Sequence, residues 1–403
     1  MSKFLKLMIT LAALALLLVP AAGCTDEEDD GDTTPVPDPD PIKIGLAMGL
    51  TGGLSGIGGD IRDAGLLAVA EWNAAGGVNG LQIETFVVDT KTDAAGGLEA
   101  VKQLHQINGV SYIVGPMASG SVMASGPFCL DNEVLIISPS ATSPDITGQP
   151  WRDFVYRTAP SDTLQGAAMA QMVIDGGYQT VSILALNNVY GVGLAGVVAE
   201  TLEDAGIDIV NDIVYDPATL NYLTELQIIK DQNPDCVVYV GYEDDAQVVF
   251  TQAGQLGLDS AQWISCDGVA GPNTYAVAEA GNFMASSVIG TRPGAPAGLE
   301  ARDEFNAAYL AEYGSDPTSY GDFTYDAVNL ILQAIENVGS AEDVAAVAAE
   351  ILDIAQDYPG ASGFITFDEE GDRTSADFEV WKVVVDPDST SGFAYVTTEM
   401  ISL

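Results

Sequence analysis

The sequence predicts an α/β fold, because short apolar segments alternate with longer helical segments over most of its length. This alternation is typical of parallel sheets that are covered by helices on both faces. Strands are predicted at residues 42–50, 81–89, 110–115, 134–138, 181–186, 209–214, 236–241 and 263–266. Helices are predicted between them at residues 60–75, 94–106, 119–130, 161–175, 191–205, 220–232 and 245–256. The large apolar residues of 60–72 fall near one helical face, as in a helix that covers a sheet.

The order of the elements changes after Gly290. Helices at 297–313, 322–337 and 342–356 precede strands at 363–367, 378–386 and 393–397. A chain that builds one lobe, then a second, and then returns to the first crosses between them several times, and such crossings form a hinge beside a cleft. We therefore expect two Rossmann-like lobes joined by a multi-stranded hinge. The first lobe comprises residues 42–160 and 290–375, and the second comprises residues 161–289 and 376–403.

The N-terminal residues 1–24 have the parts of a secretory signal. Lys3 and Lys6 precede an apolar run at 7–19, which is shorter than the roughly 20 residues that span a bilayer. A signal peptide is therefore favoured over a transmembrane anchor. Residues 21–24 (Ala-Ala-Gly-Cys) resemble the lipobox of bacterial lipoproteins, which implies that a lipid on Cys24 anchors the exported chain to a membrane, in the periplasm or at the cell surface. The acidic, proline-rich residues 25–41 predict a disordered tether.

The charge balance excludes several classes of partner. The chain has 13 Lys and Arg residues against 58 Asp and Glu residues, a formal net charge of −45. Nucleic acids and anionic lipid surfaces are bound through basic patches, so neither is an expected partner. Such an acidic surface favours solubility at high salt, where repulsion between like charges is screened.

The residues that commonly hold metals or perform catalysis are scarce. His105 is the only histidine, there is no Cys-x-x-Cys motif and no Gly-x-Ser-x-Gly elbow, so no metal, no cofactor and no catalytic triad are predicted. Apart from Cys24, the cysteines are Cys129, Cys236 and Cys266. Cys236 begins one predicted parallel strand and Cys266 ends the next, which argues against a disulfide between them.

The loops that follow the strands are the candidate ligand site, because ligands of open α/β sheets bind beyond the carboxyl ends of the strands. The glycine-rich segment 51–59 matches neither the dinucleotide fingerprint nor the phosphate loop. Ser119 starts a predicted helix and is either a plain N-cap or an anion ligand. The neighbouring loop 138–144 adds hydroxyl groups and backbone donors, and together they predict a carboxylate-sized site that needs no Arg or Lys.

In the second lobe, Tyr190, Tyr242 and Asp267 each follow a predicted strand. The tyrosines can cover the apolar part of a ligand while their hydroxyl groups remain hydrogen-bonded. Asp267 can pair with an ammonium group, or it can simply form a turn before Gly268.

Several segments resemble one protein family when they are taken together. They are residues 71–80 (Glu-Trp-Asn-Ala-Ala-Gly-Gly-Val-Asn-Gly), 113–116 (Ile-Val-Gly-Pro), 138–144 (Ser-Pro-Ser-Ala-Thr-Ser-Pro), 156–162 (Tyr-Arg-Thr-Ala-Pro-Ser-Asp) and 190–191 (Tyr-Gly). From residue 42 to about 393, the chain is similar to the type I periplasmic binding proteins of the branched-chain amino acid (Leu/Ile/Val-binding) family. These are the substrate-binding components of ABC transporters.

The resemblance implies a role for each matching position. The carboxylate of the ligand is held by Ser119 and by the loop residues Ser140, Ala141 and Thr142. Its α-ammonium group meets Asp267, where the best-known members have Glu. The remaining implied ligand contacts are Tyr190, Tyr242, Met117 and Ile57, the last at a position that carries a ring in some members. These departures leave the choice among amino acids open.

The sequence therefore predicts a non-enzymatic binding protein that captures an α-amino acid, branched-chain or otherwise aliphatic, by closure of its two lobes. The expected partners are the permease subunits of an ABC uptake transporter and their ATPases. The alternatives are a sensor or binding protein of the same fold for amides, urea or another small carboxylate, and an enzyme such as a secreted hydrolase.

Overall fold

The computed structural model describes residues 40–403. The predicted signal segment, Cys24 and nearly all of the predicted tether lie outside this range. The strands are β1 (Ile42–Met48), β2 (Ile83–Asp89), β3 (Tyr112–Val114), β4 (Leu135–Ser138), β5 (Val155–Arg157), β6 (Thr180–Leu186), β7 (Asp208–Tyr215), β8 (Cys236–Val240), β9 (Gln262–Ser265), β10 (Val288–Gly294), β11 (Tyr358–Gly360), β12 (Gly363–Ile365), β13 (Asp377–Val385) and β14 (Phe393–Ser402).

The helices cover the faces of these strands. They are α1 (Ser55–Ala74), α2 (Ala94–Gln106), α3 (Ser119–Asn132), α4 (Asp162–Asp175), α5 (Val189–Asp204), α6 (Leu223–Gln232), α7 (Glu243–Leu256), α8 (Ala278–Ser287), α9 (Glu300–Tyr313), α10 (Gly321–Val338) and α11 (Val344–Ile354). None of the helices in the described range is both long enough and apolar enough to cross a membrane.

The first sheet contains five parallel strands in the order β2-β1-β3-β4-β5. Its central strands are buried except at Lys43, and Ile44, Ile113 and Ile136 are fully inaccessible to solvent. Such continuous apolar strands are expected where helices cover both faces of a parallel sheet. The carboxyl ends of β3 and β4 are adjacent, which brings the segment that leads into α3 beside the loop that follows β4.

The second sheet has seven strands in the order β14-β13-β10-β9-β8-β6-β7. The strands from β6 to β10 pair in parallel, whereas β13 is antiparallel to both β10 and β14. The α/β class and the parallel, helix-covered sheets predicted from the sequence are confirmed.

After the second sheet, the chain returns to the first. Helix α10 packs on α1, and the indole Nε1 of Trp72 donates to the Asn329 side chain at 2.8 Å. The Tyr112 hydroxyl of β3 donates to the backbone oxygen of Ala341 at 2.9 Å. The predicted change of lobe at Gly290 falls inside β10, so residues 290–294 lie in the second sheet. Residues 300–354 then contribute helices to the first sheet.

Two groups of ion pairs lie near the segments that connect the sheets. Asp372 accepts from Arg152 and Arg157, both at 2.5 Å. Glu379 of β13 pairs with Arg292 at 2.7 Å and with Arg302 at 3.0 Å. Because these charges are largely shielded from water, their attraction is stronger than that of exposed pairs.

The three cysteines within the described residues are buried free thiols. Cys236 lies opposite Gln262 in the register of β8 and β9, whereas Cys266 lies just beyond the end of β9. The two thiols therefore lie at opposite ends of the paired strands β8 and β9.

Candidate ligand-binding site

Ser119 is the first residue of α3, directly after the segment that leaves β3. The helix is capped by Ala118, whose side chain makes no capping bond, so the reading of Ser119 as a plain N-cap is wrong. The Ser119 hydroxyl instead accepts a hydrogen bond from the backbone N–H of Ser143 at 3.2 Å. This side chain therefore connects the start of α3 to the loop after β4.

The loop after β4 is held by its own hydroxyl groups. Ser138 donates to the carbonyl of Pro116 at 2.6 Å and accepts from the Ala141 N–H at 3.0 Å. Ser140 donates to the carbonyl of Met117 at 3.1 Å. These bonds join the segment after β3 to the loop after β4, so the two predicted anion-binding segments form one continuous wall.

Arg157 supports this wall from behind. Its Nη1 donates to the carbonyl of Ser143 at 2.8 Å and to that of Ala141 at 3.4 Å. Its Nε and Nη2 donate to the two carboxylate oxygens of Asp372, at 2.5 and 2.8 Å. A guanidinium group in a bidentate pair with a carboxylate has a fixed orientation. Arg157 therefore also fixes the positions of the two carbonyl groups to which it donates.

Asp267 lies on the opposite wall, in the short turn that follows β9. Its carboxylate accepts from the hydroxyls of Tyr190 at 2.8 Å and Tyr320 at 2.6 Å, and from the Gln165 amide at 2.8 Å. Burial raises the pKa of Asp267, and the hydrogen bonds from Tyr320, Tyr190 and Gln165 partly offset that rise. The side chain thus reaches three separate elements and does more than form a turn before Gly268.

The two tyrosines predicted for this wall lie face to face. The rings of Tyr190 and Tyr242 are stacked with their centroids 5.5 Å apart and an angle of 3° between their planes. Burial and the nearby carboxylates raise the pKa of both hydroxyl groups. The tyrosines therefore stay neutral at physiological pH, and Tyr190 can donate to Asp267.

These residues enclose a small cavity. It has a volume of about 20 Å³ and is lined by Leu54, Ile57, Met117, Ser119, Ser140, Tyr190, Tyr242, Asp267, Gly268 and Tyr320. Ala141 and Thr142 are fully buried beside this lining. Seven of the nine predicted site residues thus line one cavity, and the other two, Ala141 and Thr142, directly follow Ser140 in the chain. The space holds about one water molecule, so a ligand enters only when the two walls separate.

Asp162, the first residue of α4, was not predicted as a site residue. This side chain is fully buried, and neither of its carboxylate oxygens has a hydrogen-bond partner among the described residues. The hydroxyl of Thr142 is also buried and without a partner there. Burial and then the nearby Asp267 carboxylate raise the pKa of Asp162 well above its ordinary value, although the neighbouring Thr142 hydroxyl and the charge of Arg157 lower it in part. Two buried acids beside an unpartnered hydroxyl are an arrangement that a cation with N–H donors would satisfy.

Gln165 and Tyr320 were also missed. Gln165 lies near the start of α4, three residues after Asp162, and only the fold shows that its amide is buried. Tyr320 precedes α10 and is 53 residues from Asp267 in the chain. No local pattern indicated that contact.

Tyr320 also lines a second, larger cavity of about 550 Å³. Arg292, Arg302 and Glu379 line it, but the two arginines are already paired with Glu379. The small cavity is the better candidate site, because it adjoins buried polar groups that have no partner. Among residues 40–403, no cluster of His, Cys, Asp and Glu side chains could hold a metal ion.

The two helix-covered sheets, with a small cavity enclosed by the loops of both, define the architecture of the type I periplasmic binding proteins. A family model described as periplasmic binding protein matches residues 41–390. The chain therefore belongs to the periplasmic binding protein family.

Individual relatives agree with this assignment. The chain is 31% identical over 352 residues to the leucine-, isoleucine-, valine-, threonine-, and alanine-binding protein of Pseudomonas aeruginosa, which covers 85% of this chain and 89% of that protein. Its fold is similar to the leucine-binding protein LivK of Thermotoga maritima (TM-score 0.79, 25% identity, 89% and 98% covered). It is likewise similar to the branched-chain amino acid transporter substrate-binding protein LivJ of Streptococcus pneumoniae in complex with isoleucine (TM-score 0.77, 25% identity, 90% and 100% covered).

Proposed function

We propose that this protein captures an α-amino acid with an aliphatic side chain, by closing two lobes around it, and delivers it to an ABC uptake transporter. The observation that carries the proposal is the pair of buried carboxylates, Asp162 and Asp267, beside the unpartnered hydroxyl of Thr142. Two relatives whose names describe them as amino-acid-binding proteins, from Pseudomonas aeruginosa and Rhizobium johnstonii, support the same class of ligand.

The ammonium group of the ligand would bind between Asp162 and Asp267. A buried carboxylate without a partner is unfavourable, and a neighbouring carboxylate makes it more so. An ammonium group supplies one positive charge and three N–H donors. It can therefore compensate charge on both acids and also donate to Thr142. A neutral amide or urea would leave that charge uncompensated, which argues against the alternative ligands.

The carboxylate of the ligand would bind at the opposite wall. Ser119 and Ser140 line the cavity there, and Ser119 lies in the first turn of α3, where backbone N–H groups are free of intrahelical partners. No Lys or Arg lines the cavity. Hydroxyl and backbone donors are enough for a carboxylate when they converge on one point.

The side chain of the ligand would pack against apolar residues. Leu54, Ile57 and Met117 line the cavity on the side of the first sheet, and the ring of Tyr242 lies across from them. Burial of an aliphatic side chain here contributes roughly 25 cal/mol for each Å² of apolar area removed from water. A charged or strongly polar side chain would lose its hydration without a partner, so aliphatic amino acids are the favoured ligands.

Delivery requires a cleft that opens and closes. The walls belong to different sheets, so a ligand that contacts both stabilises the closed arrangement, which is a population shift and not a reaction. We infer that the two predicted lobes move relative to each other when the cleft closes. We also infer that the partners of the protein are the permease subunits and ATPases of the transporter.

We also propose that a lipid on Cys24 anchors the exported protein to a membrane, which mass spectrometry of the mature N-terminus would check.

A thermal-unfolding screen of the protein against the twenty amino acids, urea and simple amides tests this function. A ligand at 100 times its dissociation constant adds roughly 2.7 kcal/mol to the free energy of unfolding. We expect aliphatic amino acids to raise the melting temperature and urea and amides to leave it unchanged. The screen is run after unfolding and refolding, which removes any ligand that co-purifies. A shift with amides alone would contradict the proposal.

A further inference from the structure

Three glycines lie where the two sides of the cleft meet, and we call Gly53, Gly56 and Gly193 the glycine seam. We propose that the glycine seam determines how tightly the cleft closes and thereby sets ligand affinity, although Gly56 and Gly193 do not line the ligand cavity. The inference rests on the proposed function and concerns its closing step.

Gly56 lies in the first turn of α1, on the side of the first sheet. A Cβ atom at this position would be 2.5 Å from Glu243 Oε1 and 2.7 Å from Asn273 Nδ2, both on the side of the second sheet. Glu243 has little room to move, because its Oε2 accepts from the Asn273 N–H at 2.9 Å and its carboxyl group packs against Gly271. A methyl group at Gly56 would therefore push the two sides apart.

Gly193 makes the reciprocal contact from α5. Its Cβ would be 2.7 Å from Ser143 Oγ and 3.0 Å from Pro144 Cδ, in the loop that follows β4. The Ser143 hydroxyl donates to the carbonyl of Val189 at 3.1 Å, which is itself a bond between the two sides. The proline ring cannot rotate away, so a methyl group here would also hold the cleft open.

Gly53, the third glycine of the glycine seam, lies against Tyr242. Its Cβ would be 2.8 Å from Cδ2 of Tyr242, whose ring is stacked on Tyr190. Since Tyr242 also lines the ligand cavity, a substitution at Gly53 would mix closure with ligand contact. Gly56 and Gly193 separate the two effects.

Each helix also offers a matched control. A Cβ at Gly59 of α1 or at Gly196 of α5 would have no atom of another segment within 4 Å. Alanine is a better helix former than glycine, so none of the four alanine substitutions should weaken its helix. Only substitutions in the glycine seam should oppose closure.

The test compares Gly56→Ala and Gly193→Ala with Gly59→Ala and Gly196→Ala. Calorimetry measures Kd for the amino acid that binds the wild type, and small-angle X-ray scattering measures the radius of gyration with and without it. We expect Kd to rise at least tenfold for the two glycine-seam variants and to change less than twofold for the controls, with ligand-free melting temperatures no lower than that of the wild type.

Equal Kd values in all four variants would overturn the inference. If the wild type binds no amino acid, the proposed function fails and the glycine seam fails with it, whereas equal Kd values in the four variants leave the proposed function intact and overturn only the glycine seam.

Discussion

Replacing Asp162 with asparagine is expected to weaken amino-acid binding by roughly 100-fold or more, while the ligand-free protein becomes no less stable. Loss of one partner of a buried, hydrogen-bonded charge pair costs about 2–5 kcal/mol. In the ligand-free protein, by contrast, the Asp162 carboxylate has no hydrogen-bond partner among the described residues, so removing its charge relieves an unfavourable burial. An affinity that falls without a loss of stability distinguishes a ligand contact from a structural role.

The difference in stability between Asp162→Asn and the wild type should depend on pH. Burial raises the pKa of Asp162 above its ordinary value of 3.8, so the folded protein holds the proton more tightly than the unfolded chain does. The stability that protonation provides is present below about pH 4 and is lost as the pH rises through the raised pKa. The Asp162→Asn variant should therefore melt above the wild type at pH 7 to 8, and the difference should shrink toward pH 4.

Calorimetric titration and thermal unfolding of the variant measure both parts of the prediction. Asp175→Asn is the control, because Asp175 ends the same helix but is exposed to solvent. That variant should match the wild type in affinity and in stability. Unchanged affinity of Asp162→Asn for the ligand would remove Asp162 from the site.

Replacing Asp372 with asparagine is expected to lower the free energy of unfolding by about 3–5 kcal/mol. Asp372 is the carboxylate that neutralises Arg152 and Arg157, which are 4% and 1% exposed. Its loss would leave two buried positive charges without a carboxylate. Burial by itself raises the pKa of Asp372, but the hydrogen bonds and charge of Arg157 and the charge of Arg152 outweigh it and hold that pKa below 3.8. The stability it contributes is thus present above about pH 4 and lost as the pH falls through the lowered pKa.

The matched comparison is Arg152→Met. Arg152 makes one ion pair with Asp372, and its Nε and Nη1 have no partner among the described residues. Arg152→Met leaves Asp372 still paired with Arg157, so its free energy of unfolding should fall much less than that of Asp372→Asn.

Asp372→Asn should also weaken ligand binding, because Arg157 then loses the group that orients it against the carbonyls of Ala141 and Ser143. Urea unfolding and ligand titration measure these effects, and equal stabilities of the two variants would contradict the account.

The sequence was sufficient for the elements with strong local signals. Strands β1 to β4 of the first sheet and most of the helices lie within a few residues of their predicted positions, since period and length specify them, whereas the three-residue strand β5 was not predicted. Strand β10 was not predicted, because Gly290, Arg292 and Pro293 interrupt its apolar pattern. It is nevertheless a strand, since it pairs with β9 on one side and β13 on the other. That pairing depends on tertiary structure and has no local signature.

In the site as well, some residues have a local sequence signal and others depend on the tertiary structure. Ser119, the loop after β4 and Asp267 could be predicted, because each follows a strand and strand ends define the ligand edge of an α/β sheet. Asp162 could not, because a lone acid at the start of a helix is ordinarily an exposed first-turn residue that favours the helix dipole. Only the fold shows that this acid is buried beside Asp267.

In the proposed function, one small zwitterion is held at both ends between the two sheets. The most direct measurement is calorimetric titration of the wild type with the amino acid that gives the largest shift in the thermal screen. Two analogues with the same carbon skeleton are titrated in parallel, one lacking the ammonium group and one lacking the carboxylate. We predict a Kd near 1 µM, about −8 kcal/mol, for the amino acid, and binding at least 100-fold weaker for each analogue. An analogue without the ammonium group that binds as tightly as the amino acid would contradict the account.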